Sequence, residues 1–227
     1  MKITKVTPWL VRSQRPYLDT AGEEPGQERE YVFVQVETDD GLTGWGEITG
    51  TSPWANRAVC AILEQVGDLI QGDDPRRIET IWNKVFRAFT YMGTRGATSN
   101  VVSAIDIALW DIRAKQLGVP IYELFGGPVR DSIALYTHPG GGKDPEAVAA
   151  HCKAIVETGH TALKTDPFPF QADEKNGYLS GQISAKGEEQ GVAVIAAVRE
   201  TVGPDIEILI DAHGRWDVAT ATRLANR

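Results

Sequence analysis

Near the N-terminus apolar and polar positions alternate with a period of two, the signature of half-buried strands. Lys2–Val11 has this partly alternating, β-rich character. Tyr31-Val32-Phe33-Val34-Gln35-Val36-Glu37-Thr38 is dense in β-branched and aromatic residues and predicts a second strand. Asp39-Asp40-Gly41 supplies a turn, and Leu42–Glu47 returns as a third strand. Arg15–Arg29, between the first two strands, is polar and holds Pro16, Gly22, Pro25 and Gly26, which predicts a mobile loop.

The period then lengthens to that of an amphipathic helix. Ser52-Pro53 is a start signal, with serine as cap and proline in the first turn. Val59, Ile62, Leu63, Val66, Leu69 and Ile70 follow at helical spacing. Asp74-Pro75 repeats the start signal ahead of Ile78, Ile81, Trp82, Val85, Phe86 and Phe89. A third helix is predicted from about Thr98 to Leu117, ended by Gly118 and Pro120.

After Gly126-Gly127-Pro128 the pattern becomes strand, helix, strand, helix, strand. The predicted strands are Ser132–Thr137, Thr161–Thr165 and Ile206–Asp211. The helices between them run from Asp144-Pro145-Glu146 to Thr158-Gly159 and from about Glu188 to Val202, and another starts at Asp217. Such repetition implies parallel strands joined by right-handed crossovers. Three strands do not close a (β/α)8 barrel, which takes about 250 residues. Arg227 falls within a helical pattern with no terminating signal, so the natural protein is expected to continue. The second interval between strand starts is longer than the first. The excess lies in Asp166–Gly187, an extended loop at the strand C-terminal face where barrel enzymes keep their sites.

Composition narrows the function. The 227 residues carry a net charge of -8, which argues against a nucleic-acid groove. No run approaches the roughly 20 apolar residues of a membrane span, and the N-terminus lacks the apolar core of a secretory signal. The two cysteines, Cys60 and Cys152, make no disulfide framework and read as small core residues. A reducing, cytoplasmic setting fits these features.

The run Ser103-Ala104-Ile105-Asp106-Ile107-Ala108-Leu109-Trp110-Asp111-Ile112-Arg113-Ala114-Lys115-Gln116-Leu117-Gly118-Val119-Pro120, with Leu124-Phe125-Gly126-Gly127 after it, resembles the mandelate racemase/muconate lactonizing group of the enolase superfamily. The meander with Gly44-Trp45-Gly46-Glu47 resembles that group's capping domain. The resemblance implies an α+β capping domain over residues 1–126, followed over residues 127–227 by the first part of a modified (β/α)8 barrel. It also implies Mg²⁺, a carboxylate substrate that loses its α-proton, and a homo-oligomer. In the run itself, Asp106, Asp111 and Lys115 are expected to fix packing between cap and barrel.

Candidate chemistry gathers at strand ends. Asp211 and His213 are two apart and project to one side of an extended segment. A strand-end carboxylate suits a hard cation, and equally a helix cap or a solvated role. By resemblance Asp211 is the first of three acidic metal ligands on successive strands, the other two lying beyond Arg227. An imidazole is the side chain suited to proton transfer near neutral pH, which makes His213 a candidate acid or base, although an exposed histidine is the ordinary alternative. The order Asp-Ala-His-Gly-Arg resembles the sugar-acid dehydratases, which implies that His213 protonates a departing hydroxide. Lys164 ends the second strand. The group's racemases carry Lys-x-Lys there, whereas this chain has Lys164-Thr165-Asp166, which puts a second-lysine base in doubt. Lys164 then binds the substrate carboxylate or acts on a base, or is a structural lysine with its head in water. Tyr178, in the long loop, and His138, before three glycines, are further candidates. Arg15–Arg29 and Trp45–Trp54 resemble loops that close over the substrate. The expected activity is Mg²⁺-dependent dehydration of an aldonic acid to a 2-keto-3-deoxy acid. The alternatives are a racemase, epimerase or cycloisomerase of the same superfamily, and a non-catalytic fragment.

Overall fold

The computed structural model describes residues 1–14, 28–48, 53–93, 95–139, 142, 144–168 and 181–227. Residues 15–27 of the loop expected over 15–29, the Ser52 cap and Tyr178 lie outside them, whereas Glu28 and Arg29 of that expected loop belong to a strand. The chain forms two compact units that divide between Asp131 and Ser132.

In the first unit β1 (Ile3–Gln14), β2 (Glu28–Thr38) and β3 (Thr43–Ile48) make an antiparallel sheet in chain order. Val6 faces Val36 and Trp9 faces Phe33 across the first pair, and Val34 faces Gly46 across the second. The period of two does what it predicts: Val32, Val34 and Val36 are buried. Two helices pack on that face, α1 (Pro53–Ile70) and α3 (Ala97–Leu117), and α2 (Ile78–Ala88) packs on both of them. Val59, Leu63, Val66 and Ile70 of α1, with Ile78, Ile81 and Val85 of α2, complete one core with the sheet and α3. Leu69, expected in this stripe, is exposed.

The Gly44-Trp45-Gly46 sequence is explained by α3. A Cβ on Gly44 would stand 2.1 Å from the carbonyl oxygen of Ala108, and one on Gly46 would stand 2.0 Å from that of Ala104. Glycine on the strand and alanine on the helix together allow this close backbone approach. Asp111 and Lys115 secure the same contact. Asp111 Oδ2 accepts the Trp45 backbone N–H at 2.9 Å, and Lys115 Nζ donates to Asp111 Oδ2 at 2.7 Å and to the Thr43 carbonyl at 2.8 Å. Their observed role lies within the first unit, between α3 and β3, where a bond between cap and barrel was expected.

The helix expected from Asp74-Pro75 starts later, at Ile78. Asp74 is committed elsewhere. Its carboxylate accepts the Arg76 backbone N–H at 3.0 Å and the Arg76 guanidinium at 2.6 to 3.0 Å. That partner holds its carboxyl down to about 2. A short 3-10 helix, Ile121–Phe125, follows α3, whose C-terminal Gly118 is left-handed as the stop signal requires.

The second unit contains α4 (Pro145–Glu157), β4 (Ala162–Thr165), α5 (Ala185–Val202), β5 (Glu207–Ile210) and α6 (Val218–Ala225). β4 and β5 are parallel, pairing Leu163 with Ile208 and Thr165 with Ile210. Side-chain caps start all three helices: Asp144, Ser184 and Asp217 accept N–H groups of Glu146, Gly187 and Thr220. Ser184, unforeseen in the sequence, sets α5 back to Ala185. Val148, Ala149, Cys152, Leu163, Val194 and Val198 form the core. The strand expected over Ser132–Thr137 is not formed. Only Thr137 bridges to Leu163, and Ile133 and Leu135 are exposed, with nothing apolar over them to hold an extended run in register. The two-stranded sheet therefore has two edges, β5 on one side and, on the other, β4 with only the Thr137 bridge beside it. No helix among the described residues is long and apolar enough to cross a membrane.

Burial pushes the Cys152 thiol up to about 11, and it raises Cys60 as well. Thiolate is the reactive form, so at pH 8 an alkylating reagent is expected to modify half-buried Cys60 first and to spare fully buried Cys152. Peptide mass spectrometry of native and urea-treated samples checks this. Comparable native labelling of both thiols would contradict the burial of Cys152.

Candidate active site

The candidate site is built by strand alternation. Leu163 and Thr165 of β4 are buried, and Lys164 between them points to the opposite face. The ladder runs one step further, with the Asp211 N–H donating to the Thr165 carbonyl at 2.9 Å. Asp166 and Asp211 thus leave the ends of neighbouring parallel strands on the face that carries Lys164. Thr137, bridged to Leu163, puts Tyr136 and His138 beside the same face.

The groups form a chain of opposite charges. Lys164 Nζ lies 2.9 Å from Asp211 Oδ2. His213 Nδ1 stands 3.3 Å from Asp211 Oδ1 and 3.4 Å from Asp166 Oδ2. The other Asp166 oxygen binds the Arg215 guanidinium. Lys164 also sits over the Tyr136 ring, 5.1 Å from its centre. The Lys164 ammonium, and then the His213 backbone N–H at 2.9 Å, hold the Asp211 carboxyl below its ordinary range. The Asp211 carboxylate, and then the Tyr136 hydroxyl, raise Lys164. Burial, and then the Lys164 charge, lower His138 and favour its neutral form.

His213 is half exposed at the rim, with a side-chain exposure of 49%. Its φ is 49°, and it is the one non-glycine residue of positive φ among the described residues. A strained conformation of this kind costs about 1–3 kcal/mol and persists where the surroundings impose it, most often at functional sites. The arrangement offers an imidazole for proton transfer, an ammonium for an anionic substrate and a carboxylate for a cation.

Three sequence candidates, Lys164, Asp211 and His213, thus come together, and Tyr178 lies outside the described residues. Asp166 and Arg215 were missed as site residues. Asp166 was legible, because it is two positions from Lys164 as His213 is from Asp211. Arg215 reads in sequence as an ordinary loop arginine, and only packing shows that it is buried.

The fit to Mg²⁺ is partial. Asp211 is a hard oxygen donor at a strand end, but its Oδ1 serves the His213 N–H and its Oδ2 serves Lys164. No group of three or more His, Cys, Asp or Glu able to hold a metal occurs among the described residues. Mg²⁺ prefers six oxygen ligands, several of them water, so Asp211 qualifies as one ligand and does not form a site alone.

Residues 9–126 match the mandelate racemase/muconate lactonizing enzyme N-terminal domain, and residues 147–227 match the enolase C-terminal domain-like family. A D-galactonate dehydratase of Pectobacterium atrosepticum is 36% identical, over 97% of this chain and 50% of that protein. A D-gluconate dehydratase of Thermoproteus tenax is 34% identical, over 86% of this chain and 38% of that protein. Among solved structures, a mandelate racemase/muconate lactonizing enzyme-like protein of Rubrobacter xylanophilus superposes with a TM-score of 0.79 at 29% identity, covering 99% of this chain and 57% of that one. The chain spans about half the length of the curated relatives it matches.

Proposed function

Because this chain belongs to the mandelate racemase/muconate lactonizing enzyme family, as a capping domain followed by the first part of the barrel, we propose that the whole protein is a hydro-lyase acting on an aldonic acid. The observation that carries the reading is the convergence of Lys164, Asp211 and His213 on one strand-end face, in a chain whose relatives include sugar-acid dehydratases.

In this reading Asp211 is one ligand of Mg²⁺, and the remaining ligands lie outside the 227 residues. Bound Mg²⁺ would stabilise the negative charge that develops on the substrate carboxylate as the α-proton leaves. Lys164 holds the Asp211 carboxylate in place and offers positive charge to the anionic substrate. The α-proton passes to a base that this chain does not identify. The β-carbon–oxygen bond then breaks, and His213 gives its proton to the departing hydroxide, which leaves as water. The enol so formed tautomerises to a 2-keto-3-deoxy acid. Asp166, which stands where a second lysine would act as base, favours dehydration over racemisation. A cytoplasmic homo-oligomer taking a small carboxylate, with no nucleic-acid partner, completes the proposal.

The test is a screen of the full-length protein against an aldonic-acid library with Mg²⁺, reading 2-keto acid formation. Turnover of at least one aldonate, lost on chelation with EDTA and restored by Mg²⁺, is the expected result. Epimerised substrate without keto acid would favour the racemase reading instead, and inertness across the library would overturn the proposal.

A further inference from the structure

We infer that Asp166, anchored by Arg215, is a positioning residue that fixes which nitrogen of His213 faces the substrate. This rests on the dehydratase reading for its catalytic meaning, but its geometry stands on the second unit alone.

Two loops meet here, one leaving β4 and one leaving β5. Arg215, 4% exposed, staples them together. Its Nε donates to the Ala212 carbonyl at 3.1 Å, its Nη1 to the Phe168 carbonyl at 3.3 Å, and its Nη2 to Asp166 Oδ1. The guanidinium lies over the Trp216 ring, 4.9 Å from its centre. Phe168 meets Trp216 edge-on at 6.1 Å and fills the space beside Gly191, where a Cβ would come within 2.2 Å of the Phe168 ring. No other arginine among the described residues is buried.

This block holds Asp166 rigidly, with one oxygen on Arg215 and the other 3.4 Å from His213 Nδ1. Asp211 Oδ1 stands 3.3 Å from the same nitrogen. Carboxylate oxygens only accept, so the ring nitrogen between them carries the proton. Nε2 is then the nitrogen left to the substrate, and in the imidazolium that serves as the acid, with a proton on each nitrogen, it gives up its proton while Asp166 keeps the Nδ1–H. Of the two carboxylates, Asp166 is the one with an oxygen to spare. Asp211 already serves the His213 N–H and Lys164. The positive φ of His213 is held by the same set of contacts, since the Arg215 N–H closes on the Ala212 carbonyl at 3.0 Å.

Asp166→Asn is a near-isosteric test with a directional outcome. Its carboxamide oxygen keeps Arg215 satisfied, which turns the NH₂ toward His213 Nδ1. That nitrogen must then accept, and the neutral ring is driven to the opposite tautomer. The same change opposes the acid form, because the carboxamide NH₂ would face the Nδ1–H of the imidazolium where the carboxylate accepts it.

The readout is the pair of ring ¹⁵N shifts of the ¹⁵N-histidine-labelled protein, taken with the imidazoles neutral. The chain has four histidines, so each signal can be assigned by substitution. The Nδ1–H form of His213 is expected to dominate in the wild type. The tautomer ratio should move by at least about tenfold in Asp166→Asn, the equivalent of one reoriented hydrogen bond, while His151 and His160 stay unchanged. Arg215→Lys, which keeps the charge and loses the fork, should move the ratio part of the way and carries the test if Asp166→Asn does not fold. An Nε2–H wild type, or an unchanged ratio in a folded variant, overturns the inference. In the active full-length enzyme Asp166→Asn should lower kcat by about 10²-fold or more and leave KM nearly constant. The two readings fail separately: a shifted tautomer in a protein inert on every aldonate overturns the dehydratase proposal alone, and normal dehydration with an unmoved tautomer overturns this one alone.

Discussion

Substitution of His213 by asparagine in the full-length protein is expected to lower dehydration by about 10²–10⁴-fold, the usual contribution of a general acid. Asparagine is chosen for the backbone. At φ 49° it is among the side chains that tolerate the left-handed region best, so the turn should survive. Its N–H still donates to Asp211 Oδ1, so the proposed metal carboxylate keeps its orientation. Substrate and Mg²⁺ affinity should therefore be retained. Exchange of the α-proton with D₂O, followed by NMR, should continue, because another group removes that proton. If exchange and dehydration both vanish, His213 is the base or serves both steps. Near-normal turnover would take it out of the mechanism.

Gly46→Ala is expected to cost the first unit about 3 kcal/mol, at the upper end of ordinary overpacking. The added methyl would stand 2.0 Å from the Ala104 carbonyl oxygen and 2.9 Å from its carbon. Both belong to helix backbone, so no side chain can swing aside and either α3 or β3 must move. A fall in Tm of roughly 10 °C should follow. Gly41→Ala is the matched control. Nothing lies within 4 Å of its missing Cβ, and only its φ of +85° is unfavourable, which is worth about 1–2 kcal/mol. A Gly46→Ala protein as stable as wild type would mean that α3 does not press on β3 as described.

The sequence was most legible where one period runs undisturbed. The alternation of Val32, Val34 and Val36, and the stripe of Val59, Leu63, Val66 and Ile70, give both element and buried face. Asp211 and His213 do meet, but not by the strand alternation that their spacing suggested: β5 ends at Ile210, and a turn with His213 at φ 49° brings the His213 N–H onto Asp211 Oδ1. Legibility failed where a side chain had a competing partner. Asp74 carries the signature of a helix cap, but Arg76 two residues on takes its carboxylate, and the helix waits until Ile78. It failed again where a strand depends on neighbours in space, as at Ser132–Thr137, whose apolar residues find no cover. Asp166 and Arg215 are 49 positions apart, and no local pattern announces a pair made by tertiary packing.

The open side of β5 bears on how this chain behaves in a test tube. Leu209 and Ile210 are exposed along it, and Ile133 and Leu135 are exposed beside the single bridge at Thr137 on the opposite, β4 edge. Backbone donors and acceptors next to exposed apolar side chains make a template on which other strands assemble. Two copies of the 227-residue chain can satisfy one another there, in an order no designer of the barrel intended. Colloidal stickiness of the isolated chain is thus written into the same parallel strands that carry Lys164 and Asp211. A charged or proline gatekeeper near Ile133 or Leu135, remote from Asp211 in the chain, would deny the β5 edge of one copy the β4 edge of another.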